Sequence, residues 1–497
     1  MPNYVANRSQ THHSSPPSTN VSNKASSPEK ALFTPPFSPP PTHWRALIAV
    51  DPEHLPNEVF VPLINRLPVE LLSAIFTRCM DDQRNELIRA GLRLRNTPLL
   101  LTRVCSFWRQ VAMDLPALWQ QLALRPCQGR AHHYRIARLF IERSKDQGIH
   151  IHYNEDFRRG DRPVERCPCA IDLILQNIGR IKTLELREIR RFAAVRLARV
   201  HPGAAASMCR FSLVMREENL PFNVAQTLSR LYCSPNLRRL WWDCTAFPKD
   251  TPWSQMVTLH LTQCIVDCES LFRIVASAPY LQELVMHLEE IPASSQHPAL
   301  RHHTLTSLSV AGIGPQDNLL RLLHLPNLRH LSLRPLLDDA PEQGGWPFSN
   351  PSALYKFIGR LTAGLESIVL QSSGILDDFA LLHVIRLPQM SGLRKLHVVS
   401  EVKIAGDTLF MELQPGHIGR TVPLLPHLEI LRLECCATSD GVISRMLTTR
   451  YKQAYPLRLV SLGYPDHHRI PHPLDENVFD YLKKVGMSVD WEVCISD

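Results

Sequence analysis

The sequence predicts an α/β fold, in which a small N-terminal helical unit precedes an irregular solenoid of parallel strands and helices. Two observations predict it. Between residues 67 and 119, apolar residues recur at the three- and four-residue spacing of amphipathic helices. From residue 181 onward, a short leucine-rich string recurs roughly every 20 to 40 residues, and helical patterns separate its copies.

Composition indicates a globular protein with several parts. The chain has 497 residues, 44% of them hydrophobic, which is enough for about two or three domains. No apolar run approaches the ~20 residues that span a bilayer. The N-terminus also lacks the hydrophobic core of a signal peptide. We therefore expect a soluble protein of the cytoplasm and/or the nucleus, with no membrane partner.

Charge and cysteine content exclude two classes of site. The net charge of +8 is spread along the chain, and small clusters such as Arg158, Arg159 and Arg162 are not interleaved with aromatic residues. Base stacking needs such aromatic residues, so we expect no nucleic-acid partner. The 13 cysteines show no paired half-sites with zinc-ligand spacing. We expect them to be reduced thiols.

Residues 1–55 predict a disordered tail. They are rich in Ser, Pro, Thr and Asn, and the tract TPPFSPPPTHW carries too many prolines for a helix or a central strand. Several Ser-Pro and Thr-Pro pairs could accept phosphate, but such pairs are also common in any proline-rich tail.

Residues 67–119 predict a pair of short amphipathic helices. The stretch begins LPVELLSAIF and ends VCSFWRQVAMDLPALW. Pro68 suits the first turn of a helix, and Glu70 is favoured there by the helix dipole. Two helices this short cannot bury both apolar faces against each other. Part of this surface should therefore meet a partner or the rest of the chain.

The same stretch resembles a known family. Leu-Pro, two positions, Leu-Leu, two positions and Ile-Phe, followed by Val-Cys, two positions and Trp, is similar to an F-box, most of all to the F-box proteins of mushroom-forming fungi. The resemblance implies an F-box domain over residues 60–122 that binds a Skp-family adaptor and, through it, a cullin. The adaptor-binding residues that it implies are Leu67, Pro68, Leu71, Leu72, Ile75, Phe76, Val104, Cys105 and Trp108.

Two alternatives stay open within this stretch. Part of the apolar set could only hold the unit together, and Trp108 and Trp119 are the best candidates for such an internal role. Residues 81–101 are longer than in a compact F-box, so they either lengthen a loop or add a helical turn.

Residues 123–180 predict a linker with one helix and one strand, IHIHY. The recurring string begins at residue 181. Its copies are IKTLEL at 181, MCRFSL at 208, LRRLWW at 237, MVTLHL at 256, LQELVM at 281, LTSLSV at 305, LRHLSL at 328, LESIVL at 365, LRKLHV at 393, LEILRL at 428 and LRLVSL at 457.

This string is typical of a leucine-rich-repeat solenoid over residues 181–497, whose last helix and strand would form a cap. Alternate side chains of a strand point to opposite faces, so the spaced leucines point inward and the residue between the last two faces outward. The outward positions are weak candidates for substrate binding, with Trp241 or Arg432 as anchors. They are Glu185, Trp241, His260, Val285, Ser309, Ser332, Val369, His397, Arg432 and Ser461.

The repeats are irregular, and the asparagine ladder of regular leucine-rich repeats is largely missing. A four-helix or mixed α+β domain is therefore the alternative fold.

Motifs of catalysis are missing from the sequence. It contains no nucleophile elbow, P-loop, HExxH or dinucleotide fingerprint. Adjacent histidines such as His302 and His303 lack a carboxylate or cysteine at ligand spacing. We therefore expect no catalytic residue, no metal and no cofactor.

These features favour a substrate receptor of an SCF-type ubiquitin ligase, with an unknown protein substrate. A non-catalytic scaffold that uses the repeats outside a ligase is the alternative. An enzyme with an unrecognised site is the third, less favoured class.

Overall fold

The computed structural model describes residues 63–89, 97–126, 131–155, 168–215, 224–292, 297–336, 347–372, 376–400, 405–416, 423–434, 436–455, 457–465 and 472–494. Those after Leu63 belong to one compact unit, Ile64–Asp497. The predicted tail, residues 1–55, lies outside the described residues.

A large parallel sheet is the main element of the fold. Within the described residues it contains 14 strands, whose order in the sheet follows their order in the chain, and every neighbouring pair is parallel. Two further strands, β8 and β10, form a separate two-stranded sheet. The strands are β1 Gln121–Leu124, β2 Ile149–Asn154, β3 Ile181–Arg187, β4 Arg210–Val214, β5 Arg239–Asp243, β6 Thr258–Val266, β7 Glu283–Leu288, β8 Leu300–Arg301, β9 Ser307–Gly312, β10 Leu323–His324, β11 His330–Pro335, β12 Ser367–Ser372, β13 Lys395–Ser400, β14 Ile430–Leu433, β15 Leu459–Pro465 and β16 Ser488–Cys494.

Helices connect most of these strands, as parallel pairing requires. Those described are α1 Val69–Arg89, α2 Thr97–Leu101, α3 Ser106–Asp114, α4 Ala131–Arg143, α5 Cys169–Gln176, α6 Arg191–Leu197, α7 Val224–Tyr232, α8 Cys268–Ser277, α9 Asp317–Leu322, α10 Pro351–Gly359, α11 Asp378–Ile385, α12 Asp407–Leu413, α13 Val442–Lys452 and α14 Pro473–Lys484. None of the helices described is long and apolar enough to cross a membrane. The predicted α/β class and its solenoid-like alternation of strand and helix are confirmed.

The leucine string produces this sheet because its residues alternate between two environments. In β3, Leu184 and Leu186 are fully buried, whereas Glu185 between them is partly exposed. In β5, Leu240 and Trp242 are buried in the same way. Strand and helix residues on the buried side join one continuous hydrophobic core. The opposite side of the strands, on which Glu185 lies, is called the open face below.

The sheet begins before the first leucine string. Strands β1 and β2, in and next to the range expected to be a linker, pair with each other, and β2 pairs with β3. Leu122, Ile151 and Tyr153 are buried on the core side. The first position of the string falls on Trp119 for β1 and on Gly148 for β2, so neither strand begins with the leucine-like residue that marks the later copies.

Arginine side chains join consecutive helices at their C-terminal ends. The last carbonyl groups of a helix have no partner within it and carry partial negative charge. In four places an arginine in or just after a later helical segment donates to a carbonyl at or shortly beyond the end of the preceding helix. The bonds run from Arg180 to Gln147 O (3.2 Å), from Arg230 to Val200 O (3.1 Å), from Arg360 to Arg321 O (3.0 Å) and from Arg450 to Leu413 O (2.9 Å).

Asparagine and aspartate side chains join neighbouring repeats at other points. The sequence Pro-Asn-Leu precedes β5 and β11, at residues 235–237 and 326–328. Its asparagine donates to a carbonyl of the preceding repeat, from Asn236 to Ala206 O and from Asn327 to His303 O, each at 2.7 Å. Toward the C-terminus, aspartates accept from backbone N–H groups of the following repeat, as between Asp407 and Ser439 (2.7 Å). These bonds connect consecutive repeats, as the asparagine ladder does in regular leucine-rich repeats.

Arg450 is the most buried of the joining arginines. Its side chain is fully buried, and its Nη2 also donates to Leu424 O at 2.6 Å and Leu425 O at 2.9 Å. Burial lowers the pKa of Arg450 to about 10, which leaves the guanidinium charged at neutral pH. Backbone carbonyls therefore hold this charge without a carboxylate partner among the described residues.

We predict that Arg450→Met destabilises the protein by about 3 kcal/mol, because it leaves several buried carbonyls without a donor. Urea unfolding measures the change in the free energy of unfolding. Arg445→Met is the matched control, since Arg445 lies exposed on the same helix α13. Equal stability of the two variants would contradict the role given to Arg450.

Candidate interaction surfaces

The N-terminal helices divide their apolar residues between an interior and a surface. Leu72 and Phe76 on α1 are fully buried. The Phe76 ring lies 4.9 Å from the Trp108 ring of α3, centroid to centroid. Trp119 is also buried, and its Nε1 donates to Ala112 O at 2.8 Å. These residues hold the helices together, as aromatic side chains do in small helical units.

Other apolar residues of the same stretch face solvent. Leu71 is 55% exposed, Ile75 is 42% exposed and Val104 is 58% exposed. Leu71 and Ile75 are one turn apart on α1 and share a face of that helix. Val104 lies in the turn that precedes α3, which contacts α1. We call Leu71, Ile75 and Val104 the exposed apolar set.

The remaining predicted adaptor-binding residues lie around this set. Pro68 is exposed, and Leu67 is partly buried just before α1. Cys105 is partly buried and caps α3, since its Sγ accepts a hydrogen bond from the Trp108 backbone N–H at 3.4 Å. Trp108 is partly buried against the core. None of these positions by itself establishes adaptor binding, which stays a prediction.

The long segment between the two halves of the motif adds helix. Helix α1 continues to Arg89, and the short helix α2 spans Thr97–Leu101. Residues 90–96 lie outside the described part of the chain. Of the two alternatives, an added helical turn agrees with α1, which extends to Arg89.

The predicted substrate-binding residues occupy one lateral row of the sheet. Strand pairing connects them in register, one residue per strand, and all except exposed Arg432 are partly exposed on the open face. The row runs Ala123, His152, Glu185, Ser212, Trp241, His260, Val285, Ser309, Ser332, Val369, His397, Arg432, Ser461 and Asp490. We call it the central row. The sequence pattern predicted the members from Glu185 to Ser461, apart from Ser212, and missed the ends of the row.

Glu185 is the centre of a charged network on β2 and β3. His152 Nδ1 lies 2.7 Å from Glu185 Oε2, and Arg187 donates to the other carboxylate oxygen. Burial by itself would raise the pKa of Glu185, but His152 and then Arg187 lower it to about 2. The carboxylate therefore stays ionised at any physiological pH.

Trp241 lies between a cation and an imidazole on the central row. The Arg210 guanidinium lies 4.9 Å from the Trp241 ring centroid, and the His260 ring lies 5.2 Å away in a T-shaped arrangement. His260 Nε2 is 3.1 Å from Glu283 Oε1, in a contact that lacks good hydrogen-bond direction. Burial lowers the pKa of His260, and Glu283 offsets this only in part. A partly exposed tryptophan held in place on both sides is a typical anchor for protein recognition.

The sequence pattern did not single out one group of potential ligands near the C-terminus. Atoms of Asp440, His472 and Asp475 that could bind a metal lie within 4.8 Å of one another. Their oxygens already accept hydrogen bonds from the protein. Asp440 accepts from the Leu474 and Asp475 N–H groups at 3.1 Å, and Asp475 accepts from the Ser444 N–H at 2.7 Å. The group joins the start of α14 to the preceding repeat, and we assign no metal to it.

The Glu185 network predicts a pH-dependent stability. The carboxyl pKa is 4.5 in the unfolded chain and about 2 in the folded protein. The network therefore stabilises the fold fully above pH 4.5 and loses this contribution as the pH falls toward 2. We expect Glu185→Gln to lower the free energy of unfolding by ~2 kcal/mol at pH 7, and by less as the pH falls below 4.5. Urea unfolding of both proteins across this range checks it.

Glu269→Gln serves as the control, because Glu269 forms only an exposed ion pair with Arg273. We expect that variant to match the original protein at every pH. A difference between Glu185→Gln and the original protein that does not change with pH would contradict the ionic role of Glu185.

Comparisons with known proteins assign this chain to no family. A scan against protein-family models and a search of the curated proteins both find no match. The roles of the exposed apolar set and of the open face are therefore inferred from their residues and geometry.

Proposed function

We propose that this chain is the substrate-recognition subunit of an SCF-type cullin-RING ubiquitin ligase. Residues 60–122 would be the F-box that binds a Skp-family adaptor, and the leucine-rich repeats from residue 181 would bind a protein substrate. The observation that carries this proposal is the exposed apolar set, Leu71, Ile75 and Val104. It lies on the motif that resembles an F-box.

The division of the motif supports an adaptor-binding role. Leu72 and Phe76 already supply the interior of the helical unit, so the fold does not need Leu71 and Ile75 for its core. Burying a large aliphatic side chain is worth about 1.5–3 kcal/mol. An apolar partner that covers the exposed apolar set would recover this energy for each residue.

The open face supports substrate binding by the repeats. Between the end strands β1 and β16, every strand of the large sheet is paired on both edges, so a partner there would be recognised by side chains of the open face rather than by strand addition. Trp241, with Arg210 stacked on it, has the residue types that dominate binding energy at protein interfaces. Charged and small side chains elsewhere along the central row leave room for a partner.

In this function the chain does no covalent chemistry. It would hold a substrate lysine near the ubiquitin-charged conjugating enzyme that the cullin brings to the complex. Its contribution to the rate would be the raised effective concentration of the two reactants. One measurement, the turnover of the bound partner, distinguishes a ligase subunit from a scaffold outside a ligase. Only a ligase subunit makes the turnover of its partner depend on cullin neddylation.

We predict that Leu71→Asp combined with Ile75→Asp abolishes capture of a Skp-type adaptor. Both side chains are exposed, so the substitutions leave the fold intact, but they place two charges in an apolar contact. Co-expression of the full chain with a Skp-type adaptor, followed by affinity purification, measures the capture.

The matched control is Val195→Asp, because Val195 is 44% exposed on helix α6 among the repeats. This variant should capture the adaptor as the original chain does. No capture by the original chain, or equal capture by the double variant, would refute the F-box assignment.

A further inference from the structure

Two arginines of the open face lie side by side without a counterion. Arg210 on β4 and Arg239 on β5 occupy directly paired positions. Like charges that face each other across paired strands destabilise a sheet. Burial and the nearby Arg239 lower the pKa of Arg210, and Glu185 offsets this only in part. Glu185 already forms ion pairs with His152 and Arg187. Neither Arg210 nor Arg239 forms an ion pair with a described residue.

A second group of cations lies farther along the same face. His397 on β13 pairs in register with Arg432 on β14, and Lys395 lies two residues before His397 on the same side. Burial lowers the pKa of His397, and the charges of Lys395 and Arg432 lower it further. Asp490 on the same row is two strand spacings from Arg432, or ~10 Å between the backbones, and the two side chains form no ion pair.

Other arginines next to the strands of the sheet do form ion pairs. At the edge where the strands begin, Arg329 pairs with Glu366, and Arg394 pairs with Glu429 at 3.0 Å. The chain therefore supplies carboxylates to these two arginines. It does not supply them to Arg239, Lys395 and Arg432, in the part of the sheet that the structure describes.

Between the two groups the open face is uncharged along the central row. The members from β7 to β12 are Val285, Ser309, Ser332 and Val369, which are all small. Strands β5 and β13 are six strand spacings apart along the sheet, or ~29 Å. An extended peptide covers this distance with about nine residues.

We propose that the open face binds an extended acidic segment of a protein, whose carboxylate side chains neutralise the Arg210–Arg239 pair at one end and the Lys395–Arg432 pair at the other. The identification of this segment as a ubiquitin-ligase substrate rests on the proposed function. Its binding is nevertheless measurable without an adaptor.

The cations are spread along the face, which suits carboxylates along an extended chain better than one compact anion. Strand N–H groups are used in the parallel pairing, so they form no backbone nest for a phosphate group. Each end offers two cations, which suits single charges spread along a chain. Trp241 is the one aromatic residue of the central row, whereas single-stranded nucleic acid needs a series of stacking platforms.

The test uses the purified full chain and three fluorescein-labelled peptides. The first has two Glu triplets joined by a Gly/Ser spacer of about nine residues, the length that spans the two cation pairs. The second has one triplet replaced by Gln, and the third has both replaced. Fluorescence anisotropy at physiological salt measures the affinities. We expect the first peptide to bind most tightly and the third not to bind.

Charge reversal locates the binding. Arg239→Glu combined with Arg432→Glu should weaken binding of the two-triplet peptide at least tenfold. The control Arg445→Glu reverses one charge, as each single substitution of the double variant does, on an exposed residue of helix α13, away from the sheet. It should change the affinity less than twofold. Both arginines of the double variant are exposed, and Arg239→Glu removes the like charge that faces Arg210. The double variant should therefore be no less stable than the original protein in urea.

Three outcomes would overturn the proposal. One is an equal loss in Arg445→Glu, which would mean nonspecific attraction. Another is equal binding of the peptides with one and two Glu triplets. The third is tighter binding of a single-stranded RNA of equal charge with the same dependence on Arg239 and Arg432. Adaptor capture is measured separately, so failure of the peptide assay leaves the F-box assignment intact.

Discussion

The lateral pairing of parallel strands is the constraint on which the rest of this structure depends. A single strand and its helix leave apolar surface on both flanks, and only the neighbouring repeats cover it. Parallel pairing joins all 14 strands of the large sheet in chain order. The register shifts once between β2 and β3 and once between β6 and β7, but the paired residues beside these shifts still form the central row. It places one side chain of each strand on the open face. A slip of one residue in any pair would exchange its buried and exposed residues.

The buried Arg450 and the exposed arginines of the open face differ in whether they have hydrogen-bond partners. Arg450 is fully buried, and backbone carbonyls of the preceding helix and loop satisfy it. Its charge therefore helps to fix one repeat against the next. Arg239 and Arg432 lie on the open face with no such partners among the residues that the structure describes. Because solvent screens exposed charges, the fold tolerates this arrangement, and a partner with carboxylates would gain from it.

Sequence patterns predict the sheet better than they predict the contacts between repeats. The leucine string marks β3 to β15 because it reports burial on alternate residues, and burial decides the register of a strand. The arginine bonds escape such a pattern, since Arg450 and Arg445 look equivalent along α13 and only the packing buries one of them. Likewise, the motif lists Leu71 and Leu72 together, but helix geometry turns one outward and the other inward. Pairwise geometry, not residue type, separates these roles.

The helical unit is joined to the sheet through its own interior. Trp119 is buried and packs edge-on against Phe140 of α4, with ring centroids 5.0 Å apart, and β1 begins two residues after it. The same core that holds α1 to α3 therefore continues into the first repeats. A flexible linker would let the exposed apolar set and the open face move independently, whereas a shared core fixes their separation. In the proposed receptor, this rigidity would keep a bound substrate at a constant distance from the adaptor, which is the condition for a proximity-based contribution to ubiquitin transfer.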